Sequence, residues 1–135
     1  MTRVMTETVT TGNLETYGSA DLFAGIPVSS FPAALRWYQQ LFGSPPSFFP
    51  GDSEAVWQVA EHRFVFIEHC PERAGYARHL VFVGDLERLV GHITDRGLAS
   101  AEDRGYSNGV RKVAYRDPDG NEFGFGGQAP TGDRP

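Results

Sequence analysis

The chain runs through one order of elements twice. DLFAGIPVS is short, apolar and bounded by turn formers; SFPAALRWYQQLFG has helical spacing; EAVWQVAEHRFVFIEH holds two β-rich runs around a polar turn. About 55 residues later ARHLVFVG, DLERLVGHITDRG and SNGVRKVAYRDPDGNEFGFG follow in the same sequence, and such self-similarity constrains architecture more than any single motif. A strand–helix–strands unit buries one sheet face under its helix and leaves the other face free. Two such units predict an α+β fold of two curled mixed sheets, each with a helix on its outer face, around a concave cavity. Alternating strand residues would line that cavity, a natural pocket for a ligand.

Local signals fix the boundaries. Ser30 is placed to cap the first helix, Pro32 suits its first turn, and Gly43 suits its left-handed stop. Phe31, Leu35, Tyr38 and Phe42 share one face at helical spacing. In the second helix Asp85 caps, Leu86, Leu89, Val90 and Ile93 form the stripe, and Gly97 ends it. The prolines of GSPPSFFPGD rule out helix there. Asp-Pro-Asp-Gly at 117–120 is turn chemistry: proline presets φ and glycine accepts positive φ. Residues 1–20 are Thr-rich without an apolar period and read as a flexible tail, as do 128–135; between them lies one domain, 21–127.

Composition excludes several classes. A net charge of −5 with scattered Lys and Arg argues against a nucleic-acid partner. No apolar run approaches the ~18 residues of a membrane span, and the start has no basic region followed by an apolar one, so no secretory signal is expected. The single cysteine, Cys70, reads as a small half-buried hydrophobe. A cytoplasmic protein fits these features. No nucleophile–base spacing and no phosphate loop is present: Ser29 and Ser30 start a helix, Ser107 lies in a loop, and no helix follows GFGG.

VSSFPAALRWYQQLFG, VFVGDLERL and YRDPDGNEFGF, in this order and spacing, resemble the vicinal-oxygen-chelate superfamily, which includes glyoxalase I, extradiol dioxygenases, fosfomycin-resistance enzymes and bleomycin-resistance proteins. The resemblance covers residues 21–127 and implies two tandem βαβββ modules, about 21–70 and 77–127. It also implies a homodimer with an isologous interface. Enzymes of the superfamily hold a metal on the first strand of each module and on the last strand. Carried over from the helix-opening positions Ser30 and Asp85, and from Asn121, those sites are Phe23, Arg78 and Gly124. A phenyl ring, a fixed cation and a bare backbone supply no metal ligand, so neither metal nor cofactor is expected. A one-residue slip does not rescue the three positions. A rearranged site of Glu122, His69 and His79 is an alternative; His62 and His92 read as surface residues.

The expected ligand-binding set is Phe23, Gly25, Trp57, Phe64, Phe66, Arg78, Leu80, Tyr106, Glu122 and Gly124, with Phe82, Phe48 and Phe49 nearby. Small residues at 25, 124 and 126 are expected to leave volume. Aromatic faces suit a planar organic ligand, and Arg78 suits a carboxylate, phosphate or phenolate, or else a salt bridge to Glu122. Arg111 and Arg116 flank the same hairpin, Arg116 on the solvent side. The reading is a small-molecule binding protein of the glyoxalase/bleomycin-resistance type, metal-free, engaged in sequestration or resistance. The alternatives are a metal-dependent lyase or dioxygenase with displaced ligands, and a metal-free lyase or isomerase using Glu122 and Arg78; no catalytic residue is assigned.

Overall fold

A computed structural model describes residues 12–129. The residues of the expected tails outside this range, 1–11 and 130–135, lie outside the description; Leu14–Tyr17 forms a 3-10 turn. The first module is β1 (Leu22–Val28), α1 (Phe31–Phe42), β2 (Phe48–Gly51), β3 (Glu54–Ala60) and β4 (Arg63–His69). The second is β5 (Arg78–Phe82), α2 (Leu86–Asp95), β6 (Glu102–Gly105), β7 (Val110–Arg116) and β8 (Glu122–Gln128). Each builds a four-stranded mixed sheet, in the orders β1-β4-β3-β2 and β5-β8-β7-β6, with the first strand parallel to the last. The α+β class and the tandem modules are as the repeat predicts. The prolines of the 44–53 segment leave room only for the short edge strand β2.

The helix ends form as their residues dictate. Ser30 Oγ accepts from Ala33 N at 3.4 Å and Asp85 Oδ1 from Arg88 N at 3.2 Å. Gly43 adopts φ 77° at the end of α1. The buried face of α1 is Ala34, Tyr38 and Leu41, with Phe31, Leu35 and Phe42 packed at its margins. The predicted stripe thus has the right side, and its centre lies on the smaller Ala34.

Both modules share one core. Ile26, Val28, Trp57, Val65 and Ile67 from the first sheet join Val113, Tyr115, Phe123 and Phe125 from the second, with Tyr38 and Ile93 of the helices between them. The Phe42 ring meets Phe123 edge-on at 5.3 Å. Polar latches fix the junction. The Tyr38 hydroxyl donates to Asp117 Oδ2 at 2.8 Å, and Asn121 Nδ2 donates to the Pro27 carbonyl at 2.9 Å. Ser29 donates through its N–H and hydroxyl to the Asp119 carboxylate. The Arg96 guanidinium caps α1 by donating to the carbonyls of Gln40 and Leu41. The Asp-Pro-Asp-Gly turn therefore does more than reverse the chain: its two carboxylates and the following asparagine dock the first module.

Candidate functional site

Strand alternation sends every second residue away from the helices. In the first sheet this open face carries Phe23, Gly25, Phe64 and Phe66, since Phe23 pairs with Phe64 and Gly25 with Phe66. In the second it carries Arg78, Leu80, Phe82, Glu122, Gly124 and Gly126, together with Lys112, Ala114 and Arg116 of β7. Eight of the ten expected residues thus lie on open faces: four on the first sheet and four on the second.

Two do not follow the expectation. Trp57 pairs with Val65 on the helix side, is 2% exposed, and donates Nε1–H to the Ser44 carbonyl at 3.0 Å. It packs against Tyr38 and Phe42 and belongs to the core. Tyr106 lies at the β6–β7 turn, beyond the strand, half-exposed, with the Arg104 guanidinium 5.1 Å from its ring centre.

The glycines do not leave the empty volume expected of them. A Cβ at residue 25 would meet the Phe66 ring at 2.6 Å, and one at 126 the Phe82 ring at 2.7 Å. At 124 it would meet Leu80 Cδ1 at 3.3 Å and Lys112 Cε at 3.5 Å. The missing side chains are replaced by long neighbours lying flat on the strand.

The two open faces differ in chemistry. On the first, the Phe23 and Phe64 rings stack with centres 4.5 Å apart and planes 7° from parallel. On the second, Glu122 is 7% exposed. Lys112 Nζ lies 3.2 Å from its Oε2, Arg78 Nε 3.7 Å from the same oxygen, and Arg116 Nη2 3.5 Å from Oε1. Arg78 thus makes the salt bridge to Glu122 while 73% of its side chain stays exposed. Arg116 is exposed, as expected, and its guanidinium also reaches Glu122. A buried carboxylate needs such partners to offset desolvation. Lys112 was not among the expected residues, although VRKVAYR and the 117–120 turn set its parity.

These residues do not fit a metal ion. Phe23, Arg78 and Gly124 offer no ligand, and the one buried carboxylate on this face is held by three cations. The rearranged alternative fails on geometry. His79 faces the helix side and donates Nε2–H to the Gly25 carbonyl at 3.0 Å, while Glu122 faces the other way. His69 is exposed at the end of β4. Among the described residues, no three His, Cys, Asp or Glu side chains converge.

A hollow of about 460 Å³ opens at the module junction, lined by Leu22, Phe64, His79, Leu80, Phe82 and Phe123 among others. It draws Phe64 and Leu80 from the expected set. A larger, shallow one of about 770 Å³ lies by Arg36, Gly43 and Arg96; it contains none of that set, and Arg96 is occupied in capping α1. Displaced pKa values occur off the open faces. Burial and then the Asp117 charge raise Tyr38, the bidentate Arg111 partner lowers Asp103, and the hydrogen bond to Asp21 raises His62.

No protein-family model matches the chain, and no curated protein matches it. Among solved structures, a glyoxalase/bleomycin resistance protein from Catenulispora acidiphila is 47% identical, with a TM-score of 0.79, over 81% of this chain and 98% of that one. A lactoylglutathione lyase from Agrobacterium tumefaciens shares the fold at 15% identity, with a TM-score of 0.66, over 81% and 93% of the two chains. A bleomycin-binding protein complexed with bleomycin shares it at 17% and 0.62, over 80% and 98%. The chain belongs to the glyoxalase/bleomycin resistance family, within the vicinal-oxygen-chelate superfamily.

Proposed function

We propose that this protein binds a small organic molecule, planar and anionic, without the help of a metal, and acts by sequestering it rather than by transforming it. The observation that carries this reading is the occupancy of the metal-ligand positions by Phe23, Arg78 and Gly124, beside a Glu122 held by Lys112, Arg78 and Arg116. The stacked Phe23–Phe64 pair offers a flat apolar surface, and the second face offers cations. The fold neighbour that binds bleomycin supports small-molecule binding on such a scaffold. A cytoplasmic location remains part of the proposal.

The working unit in this reading is a homodimer. In a single chain Phe23, Leu80 and Phe82 are 48%, 52% and 60% exposed, and apolar faces of this kind mark surfaces that find a partner. A second copy laid across them encloses the ligand, and Phe48 at the β2 edge, paired with Val56 beside Phe66, extends the same apolar margin.

Thermal-shift screening with planar aromatic carboxylates and with small oxo-acids tests the proposal, since a ligand that binds only the folded state raises the melting temperature. Aromatic carboxylates are expected to stabilise the wild type and to lose that effect in Arg78→Ala, whose own melting temperature stays near wild type because the side chain is largely exposed. Stoichiometric Zn, Ni, Fe or Mn in the purified protein refutes the metal-free reading. An unfolded Arg78→Ala shows the residue to be structural.

A further inference from the structure

We propose that Lys112 and Arg78 form a built-in pair of cations that receives an oxyanion of the ligand, a carboxylate or phenolate, so that a tethered ammonium stands where metal-using relatives place an ion. This rests on the small-molecule reading and names the chemistry of its polar end. Lys112 lies opposite Gly126 on β7, and its side chain runs along β8 across Gly124. The Cε atom sits 3.5 Å from where a Cβ of residue 124 would be. The ammonium is then held 3.2 Å from Glu122 Oε2, the oxygen that Arg78 approaches at 3.7 Å.

Three features make this a receptor for an anion rather than a closed salt bridge. An ammonium has three donors and faces Glu122 as an ion pair at 3.2 Å; the other nearby carboxylate oxygen, Glu102 Oε1, is 4.0 Å away and outside hydrogen-bond range. Arg78, Arg104, Arg116 and Lys112 together outnumber Glu122 and Glu102, which leaves an excess of two positive charges on the face. The Lys112 side chain is only 17% exposed, so it is already desolvated and ordered, and loses little on meeting a ligand. Glu122 acts as the counter-ion that keeps it there. Gly124 is the enabling residue: a carboxylate side chain at that position would take the space of Lys112 Cε and Leu80 Cδ1.

The test uses 2-naphthoate and its neutral counterpart 2-naphthalenemethanol, titrated calorimetrically into the wild type, Lys112→Arg, Lys112→Met, and Lys112→Met combined with Glu122→Gln. The double variant removes cation and counter-ion together, so that loss of fold does not stand in for loss of recognition. Wild type is expected to prefer naphthoate by at least about 10-fold, the effect of one charge-assisted hydrogen bond. That ratio is expected to collapse towards one in both methionine variants and to return in Lys112→Arg. Gly124→Glu is expected to pair with Lys112, weaken naphthoate and bind no Zn²⁺. If the wild type binds both probes equally, or the double variant keeps the preference, the cation pair is refuted and the small-molecule reading survives. If the wild type binds neither probe, both fail.

Discussion

Tyr38→Phe is the sharpest perturbation of the module junction, because it removes one oxygen and no apolar volume. The Tyr38 ring is fully buried beside Phe42 and Trp57. Its hydroxyl donates at 2.8 Å to Oδ2 of Asp117, itself 5% exposed. That oxygen keeps one further donor, Asn121 Nδ2, while Oδ1 accepts from the N–H groups of Asp119 and Asn121. The variant therefore leaves a buried carboxylate short of one bond, a loss of about 2 kcal/mol for a hydrogen bond to a charged acceptor. With an unfolding entropy of about 2 cal/mol/K per residue, the melting temperature falls by about 7 °C. The pH dependence has a definite sign. Burial and the Asp117 charge push the Tyr38 phenol well above its ordinary value, so the folded state keeps a proton that the unfolded chain releases near pH 10. The stabilisation is complete below about pH 10 and is lost as pH rises beyond it. Urea titrations followed by circular dichroism at neutral pH and from about pH 9 to about pH 11 measure both effects, and Tyr38→Phe is expected to flatten the alkaline decline. A neutral-pH loss under about 0.5 kcal/mol, the scatter of ordinary surface substitutions, with an unchanged alkaline limb, would show that the latch does not hold the modules.

Other consequences follow from single contacts. Gly127→Ala places a Cβ 2.9 Å from the Val83 carbonyl and 3.0 Å from Leu86 Cβ, and since backbone yields little, a loss of about 1–3 kcal/mol is expected in thermal unfolding. Asn121→Ala removes the acceptor of the Gly75 and Ala77 N–H groups and the donor to Pro27; it is expected to cost more than Tyr38→Phe, and a smaller loss by urea titration would refute the docking role of the turn. Arg111 binds Asp103 through both carboxylate oxygens and lowers its pKa. That contribution is present above the ordinary aspartate value, about 3.9, and is lost as pH falls below it. Asp103→Asn should flatten the acid limb and speed hydrogen exchange in β6.

Much of the fold was legible because its signals are local. Caps at Ser30 and Asp85, the stop at Gly43 and the 117–120 turn each depend on a few adjacent residues, and each forms. Parity was legible where a clean turn sets it: Asn121 and the turn before it fix Glu122 and Gly124 on one face. It failed at Trp57 because β3 gives no alternation to read; Ala55, Val56 and Trp57 are all buried, and the register shifts between Gln58 and Ala60. The glycines misled for a different reason. A sequence shows where a side chain is missing, but not that Phe66, Phe82 and Lys112 reach in from other strands to cover the gap. Lys112 carries no local signal, because its ion pair with Glu122 lies along β8, four residues from its own pairing position.

The repeat itself makes the site interpretable, since register maps one module onto the other. Phe23 pairs with Phe64 as Arg78 pairs with Glu122, and Gly25 pairs with Phe66 as Leu80 pairs with Gly124. The strand order and the parallel pairing are the same in both modules; the chemistry at equivalent positions is a pair of stacked rings in one and an ion pair in the other. Glycine has also moved from the first strand of one module to the last strand of the other, so each sheet has one place where a neighbour lies flat against the backbone. A scaffold with two like faces suits a ligand with two like ends, or an ion bound by both. One with an aromatic face and a cationic face suits a molecule whose ends differ, apolar at one and anionic at the other. In the proposed reading, Phe23, Arg78 and Gly124, which offer no metal ligand, are also among the residues that set an aromatic face apart from a cationic one.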